Sequence, residues 1–270
     1  MPITDNIIDA WKLDEASGNF ISKVAAHALV PTSVGYQAAG KVGYGALFNG
    51  STSFAAIDNA SSPNLNIPIG KNFSISFWFK TASPSNPFFE DMIFSKRNPL
   101  GVPVDSMFQA SVYTGVLRTV FQKGANQVLI HGSTATVNDN VFHLGVITFI
   151  AGVAGGFRMY VDNVEDAGSG VSTSLIDEIV LTTPFRVGRS SYAASAFFNG
   201  VIDEMITWDR VITSTERAGL WNGGAGTNLW ALAPAPSLAT IVPVSGPVAG
   251  GTPVTIAGAN FAAGARVFVA

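Results

Sequence analysis

Residues 198–221, F-N-G-V-I-D-E-M-I-T-W-D-R-V-I-T-S-T-E-R-A-G-L-W, decide the fold. The apolar run ending at Trp208 reads as one long strand, Asp209-Arg210 as a turn, and 214–221 as a short helix. Thr213 and Glu216 stand at the S/T-x-x-E spacing of a capping box. In that motif each side chain accepts a hydrogen bond from a free backbone N–H at the start of the helix.

Working outward, alternation marks the other strands. In 73–80, F-S-I-S-F-W-F-K, Phe73, Ile75, Phe77 and Phe79 share one face, and Ser74, Ser76, Trp78 and Lys80 the other. This is the pattern of a central sandwich strand. Residues 141–150 and 156–162 read as two more, joined by the turn-forming A-G-V-A-G. Shorter candidates are 7–13, 46–57, 91–95, 107–113, 116–122, 127–131 and 184–188, with 214–221 the one helix of the main domain. Many short strands without interleaved helices predict two packed antiparallel sheets rather than a parallel one.

The composition agrees. Of 270 residues 47% are hydrophobic and 12% charged, about half the usual charged share, and 28 are glycine, as tight turns between many strands require. Net charge is −3 with no basic cluster, which argues against a nucleic-acid partner. Cysteine is absent, so disulfide and thiolate chemistry are excluded. No apolar run approaches the ~18 residues needed to span a bilayer. The start, M-P-I-T-D-N-I-I-D-A-W, lacks the basic and apolar regions of a signal peptide, so export by an ordinary N-terminal signal is not expected.

Near residue 222 periodicity stops and Gly, Ala and Pro take over. We place the main domain at 1–224, a linker at 225–237, and a second module at 238–270. The module's order is a strand, a Pro-rich turn, Gly250-Gly251, a V-T-I strand, Gly258 and Gly264, then a V-F-V strand. It resembles the first half of an IPT/TIG immunoglobulin-like domain. Half a sandwich cannot bury both inner faces, so the polypeptide is expected to continue beyond Ala270.

The main domain resembles laminin-G-like jelly rolls of the concanavalin A-like lectin and glucanase class. The likeness rests on W-K-L-D-E-A-S-G (11–18), G-K-V-G-Y-G-A-L-F-N-G-S (40–51), N-F-S-I-S-F-W-F (72–79), R-M-Y-V-D-N (158–163), F-R-V-G-R (185–189) and the closing strand and helix, in that order. The resemblance implies an all-β, two-sheet antiparallel jelly roll. Two segments depart from it. Residues 19–30 lack the family's Asp-x-Ser/Thr-Gly, and 83–107 carry a Pro- and Phe-rich loop.

Catalytic readings find little support. Laminarinase-type members of the class carry carboxylates at i,i+2, on one strand face, and this chain has no such pair. Its paired acids are adjacent instead, as at Asp203-Glu204, and alternation predicts opposite faces for them. G-Y-Q-A-A-G-K-V (35–42) mimics a P-loop but has Val42 where the magnesium-binding hydroxyl belongs. No G-x-S-x-G is present, and His27, His131 and His143 lack zinc-ligand spacing.

Two site hypotheses follow. The resemblance implies a structural Ca²⁺ at Asp203, with Asn49, Gly50 and the region of Asp9 as neighbours. The alternative is that Asp203 caps backbone donors or pairs with an arginine such as Arg210. For glycans, Tyr192, Phe88, Phe89 and Tyr113 are the candidate loop aromatics, since sugars need an apolar platform beside polar groups. Phe197 and Phe198 are expected in the core. Loops 83–107 and 190–198 are the expected contact surface. Three functional classes follow: a non-catalytic glycan-binding module on an extracellular or virion surface, a structural component of a virion or surface assembly, and a hydrolase or its accessory domain. The expected one is a non-catalytic structural or adhesion protein of a bacteriophage virion, homo-oligomeric, with a bacterial surface adhesin or a carbohydrate-binding module attached to a glycoside hydrolase as the alternative.

Overall fold

The computed structural model describes residues 2–61, 65–67, 71–84, 90–98, 106–124, 127–153, 155–166, 169–172, 179–191, 196–230, 237–246 and 251–259. The chain divides into two compact units, Met1–Thr227 and Asn228–Ala270. In the first, the opening strands are β1 (Ile7–Trp11), β2 (Phe20–Ile21), β3 (Ala28–Thr32), β4 (Gly35–Ala39), β5 (Tyr44–Asn49) and β6 (Phe54–Ile57). The middle strands are β7 (Asn72–Lys80), β8 (Asp91–Arg97), β9 (Ser106–Tyr113), β10 (Val116–Lys123) and β11 (Gln127–Thr136). There follow β12 (His143–Ile150), β13 (Phe157–Val161), β14 (Val164–Glu165), β15 (Ser169–Ser172), β16 (Phe185–Val187), β17 (Asn199–Trp208) and helix α1 (Ser214–Trp221).

The strands form two antiparallel sheets. The first runs β14-β13-β12-β7-β17-β5-β4, with β1 added to β17; the second runs β15-β11-β10-β9-β8-β16-β6-β3-β2. As alternation predicts, β7 is central, paired with β12 on one edge and β17 on the other. Its Phe73, Ile75, Phe77 and Phe79 join the core. A run of aromatic contacts links the sheets: Phe73 meets Phe108 at 5.1 Å and Phe77 meets Phe94 at 5.5 Å, while Phe108 touches Phe94 and Phe121 at 4.9 and 4.8 Å. Such pairs contribute roughly 0.5–1.5 kcal/mol each beyond the area they bury.

The core is close enough to dictate glycine at position 188. A Cβ there would lie 2.2 Å from the Phe48 ring, and the residue has φ +82°. The Asp162-Asn163 turn between β13 and β14 has both residues left-handed, φ 53° and 66°, as a two-residue hairpin turn requires.

The closing segment forms as its spacing predicts. Thr213 Oγ1 accepts from the Glu216 N–H, and Glu216 accepts from the Thr213 N–H at 2.7 Å. Arg210 grips Glu216 through two contacts of 2.8 and 2.6 Å and donates to the Asp5 carbonyl. That pairing lowers the Glu216 carboxyl to about 2. Helix α1 lies on the first sheet, where Trp221 stacks on Trp78 at 5.5 Å and Arg217 sits 3.6 Å over Tyr160.

Two expectations are corrected. Residues 46–57 are not one strand but β5 and β6, which belong to different sheets. Asn49 Oδ1 accepts from the N–H groups of Ser51, Thr52 and Ser53, and Gly50 is left-handed, so the chain turns there and crosses the core. Residues 20–39, for which no strand was predicted, hold β2, β3 and β4. The second unit contains an antiparallel pair, β18 (Ser237–Val242) and β19 (Thr255–Ala259). The expected V-F-V strand lies outside the described residues.

At the start of β12 the buried His143 is clamped between Asp162 (2.8 Å) and Asp139 (3.0 Å). Burial disfavours its charge, but the two carboxylates outweigh burial and raise its pKa. The stabilisation is therefore complete below the unfolded-state value and is lost as pH rises through the higher folded value. We expect His143→Asn to lower the melting temperature most at mildly acid pH, with the gap closing toward alkaline pH. A gap independent of pH would contradict the charged clamp.

Candidate functional site

Two polar clusters lie on opposite layers of the sandwich. The first arises from an irregularity in β17. Along one edge this strand pairs with β7, and along the other it pairs first with β5 (Asn199–Ile202) and then with β1 (Met205–Trp208). Register shifts between Asp203 and Ile206, and Glu204 has φ +48°. This is a β-bulge, which inserts one residue and breaks alternation. Ile202 and Met205 both reach the core, so Asp203 and Glu204 do not take the opposite faces that regular alternation predicts.

Both carboxyls are buried, at 0% and 4% exposure. Asp203 Oδ2 accepts from the N–H groups of Lys41 (2.7 Å) and Val42 (2.9 Å), so it caps the turn between β4 and β5. Arg210 is engaged by Glu216 instead. Asp203 Oδ1 and both Glu204 oxygens have no hydrogen-bond partner among the described residues. Burial raises Asp203 to about 7, despite its backbone donors. Burial, and then the Asp203 charge, raise Glu204 to about 8, with Lys12 opposing.

The four residues proposed for calcium occupy separate stations. Asn49 and Gly50 lie at the Asn199 end of β17, and Asp9 opposite Thr207. At roughly 3.3 Å per residue, four-residue steps put about 13 Å between Asp203 and each of the others. Asp9 faces the other way, its two oxygens 2.9 and 3.0 Å from His27 Nδ1. Among the described residues no three His, Asp or Glu side chains form a group able to hold a metal. A cation at Asp203 and Glu204 would take the rest of its shell from carbonyls and water.

The second cluster lies on the outer face of the second sheet. Phe185 and Val187 enter the core, so Arg186 between them points outward, opposite Ser95 on β8 and Ala56 on β6. By the same alternation Ala55 and Ile57 are core and Phe54 is outward, opposite Thr32. A cleft of about 480 Å³ opens here, lined by Val30, Thr32, Phe54, Ala56, Asp58 and Ser61. Arg189 sits 4.6 Å over the Phe54 ring and 5.5 Å over Phe197, and Arg186 lies 6.0 Å from Phe54. Ser191 bonds to Ser95 Oγ and accepts from Arg186 Nη1, which ties Ser191 to this face. Burial and the neighbouring Arg189 charge lower the Arg186 pKa, with Asp58 opposing.

Farther along the same face, Arg118 pairs with Glu90 and covers Tyr113 at 4.7 Å. Glu90 also accepts from Gln109. The described parts of loops 83–107 and 190–198 thus meet one face. Tyr192, Phe88 and Phe89 lie outside the described residues. Phe198 is core as expected, whereas Phe197 is half-buried under Arg189. Phe54, Arg186 and Arg189 were missed, although alternation in F-R-V-G-R already turns Arg186 outward. A second cleft of about 490 Å³, lined by Asn6, Ile8, His27, Asn66, Lys71 and Asp209 among others, opens beside β1 and the start of β7.

The carboxyl pair makes a pH prediction. In chelator, the native state holds protons at Asp203 and Glu204 that the unfolded chain has released above about pH 4, so stability falls as pH rises to about 8 and then levels. The double variant Asp203→Asn, Glu204→Gln should lack this decline and outmelt the parent at pH 8. Parallel melting curves for the two proteins across that range would count against a protonated pair.

Comparisons with known proteins agree with the architecture. The family model described as concanavalin A-like lectin/glucanases superfamily matches residues 50–216, and the IPT/TIG model matches 236–270. No curated protein matches. The binding domain of Paraclostridial Mosquitocidal Protein 1 is similar with TM-score 0.63 at 16% identity, over 83% of this chain and 53% of that one. Domain 4 of AbnA, an extracellular arabinanase from Geobacillus stearothermophilus solved in complex with arabinotriose, gives 0.56 at 15%, over 78% and 96%. Trypanosoma rangeli sialidase in complex with sialic acid gives 0.60 at 15%, over 83% and 34%. This chain thus spans about half of the toxin domain and a third of the sialidase. At these identities the likeness is one of fold. With its family model matched across most of the first unit, the chain belongs to the concanavalin A-like lectin/glucanases superfamily.

Proposed function

We propose that the first unit is a non-catalytic, glycan-binding module, and that its ligand sits at the Phe54 cleft on the outer face of the second sheet. The observation that carries this is the combination found there: a concave, partly apolar floor, an aromatic ring, and polar groups at its rim. Fold relatives that carry bound sugar, such as the arabinotriose complex, support the reading without assigning the site. Against catalysis, the described carboxyl pair at Asp203 and Glu204 is buried, and a turn covers one of its members. It has no access to a glycosidic bond.

The setting we propose is display on a virion or bacterial surface as a homo-oligomer, where several shallow sites act together. A second proposal concerns calcium, placed at Asp203 and Glu204 because three of their four oxygens lack a hydrogen-bond partner among the described residues. Calorimetric titration with Ca²⁺ should give heat that Asp203→Asn removes. Absence of heat in the parent protein would dispose of the ion.

For the main proposal, Phe54→Ala should abolish retention on a glycan array while the variant keeps the parent's cooperative unfolding. Retention unchanged by the substitution would move the site elsewhere. No retention of any glycan, together with burial of this face in a purified assembly, would favour a structural subunit instead.

A further inference from the structure

The chemistry of the Phe54 cleft points to a narrower ligand class. Arg186 and Arg189 approach closely enough for one charge to act on the other, and both contact the same ring. Each guanidinium carries five N–H donors and keeps its charge at any physiological pH. Arg186 spends one donor on the Ser191 carbonyl. The Nε of Arg186 and the Nε of Arg189 are buried without a hydrogen-bond partner among the described residues. The contacts of Arg189 with Phe54 and Phe197 are ring contacts, which satisfy charge but take no donor as a conventional hydrogen bond.

Among the described residues, Asp58 is the acid whose charge acts on Arg186, against the charge of Arg189. The like charges are held together by the fold. Arg186 is fixed by its register between Ala56 and Ser95, and Arg189 follows the bend at Gly188, whose φ is +82°. An arrangement that holds two permanent cations against Phe54, a ring that itself lines a sugar-sized cleft, is complementary to an anion on the ligand.

We propose that the cleft selects sugars bearing an anionic group, a carboxylate or a sulfate ester, with the anion on Arg186 and Arg189 and the sugar beside Phe54. This rests on the reading of the cleft as a glycan site. The shared chemistry is a compact oxyanion on a pyranose or furanose, so carboxylated and sulfated sugars are separate arms of the test.

The experiment uses the full chain on immobilised oligosaccharides of one backbone in neutral, carboxylated and sulfated forms, at two salt concentrations. The parent should retain one or both acidic forms over the neutral one, with retention falling as salt rises. Arg186→Gln and Arg189→Gln should each weaken acidic retention about tenfold or more relative to retention of the neutral form. Arg189→Lys, which keeps the charge and the ring contact, should recover part of the loss and guards against misfolding of the glutamine variants. Equal retention of neutral and acidic forms, unaffected by the arginine variants but lost in Phe54→Ala, would overturn the anionic selection and leave glycan binding standing. Retention of polyglutamate as strong as that of the acidic sugars would overturn it as unspecific charge attraction. Failure to retain any sugar would overturn both readings together.

Discussion

The structure depends on a single strand that has to serve three neighbours. β17 gives one whole edge to β7, while its other edge passes from β5 to β1 partway along. Two strands cannot meet end to end on a regular partner without leaving its backbone groups unpaired. The bulge at Asp203-Glu204 sits at that handover. Glu204 takes up the irregularity by donating its N–H to the Lys12 carbonyl, just past the end of β1. Asp203 takes up the rest by binding the Lys41 and Val42 N–H groups of the turn that leads into β5. The turn at its C-terminal end delivers Arg210 to Glu216 and to the carbonyls of Asp5 and Pro2. The N-terminal segment, the turn into β5 and the closing helix are thus fastened to one element, which is why the segment containing it carries so much of the fold's signature.

That signature was legible where burial is one-sided and the backbone regular. The alternation of 73–80 and the capping box at Thr213 each follow from one local rule, and each is found as expected. The misses share a physical cause. β2 to β4 are short and half-exposed, so they bury too little to impose alternation on their residues. The break at Asn49-Gly50 is made by one side chain accepting three backbone donors, a turn that hydrophobic periodicity does not register. The bulge at Glu204 defeats alternation outright, and with it the expectation that Asp203 and Glu204 face apart.

The candidate site divides along the same line. Aromatic content drew attention to loops, and Tyr113 proved to lie under Arg118, three strands away from Phe54 in the sheet order. Phe54 and Arg186 come from short strands flanked by core residues, and strand alternation alone turns them outward. What the sequence could not supply is register. That β6 lies beside β16, and so brings Phe54 under Arg189, depends on the order of nine strands.

Buried charge is treated differently across this molecule, and the difference gives the arginine pair its meaning. A carboxyl can answer burial by keeping its proton, and Asp203 and Glu204 are raised to about 7 and about 8. An amine can answer by losing one, and burial lowers Lys96, bonded to Asn59 at 2.7 Å, to about 8. Each approaches neutrality at a modest cost in pH. A guanidinium has no such exit, because its deprotonation lies far above physiological pH. Arg186 and Arg189 therefore remain charged beside one another, and among the described residues the ring of Phe54 and the Asp58 carboxylate, together with solvent, supply the compensation. A charge that the fold can neither neutralise nor fully pair is stabilised most by a counter-ion brought from outside. The cleft beside it is where such a counter-ion can enter while still attached to something larger.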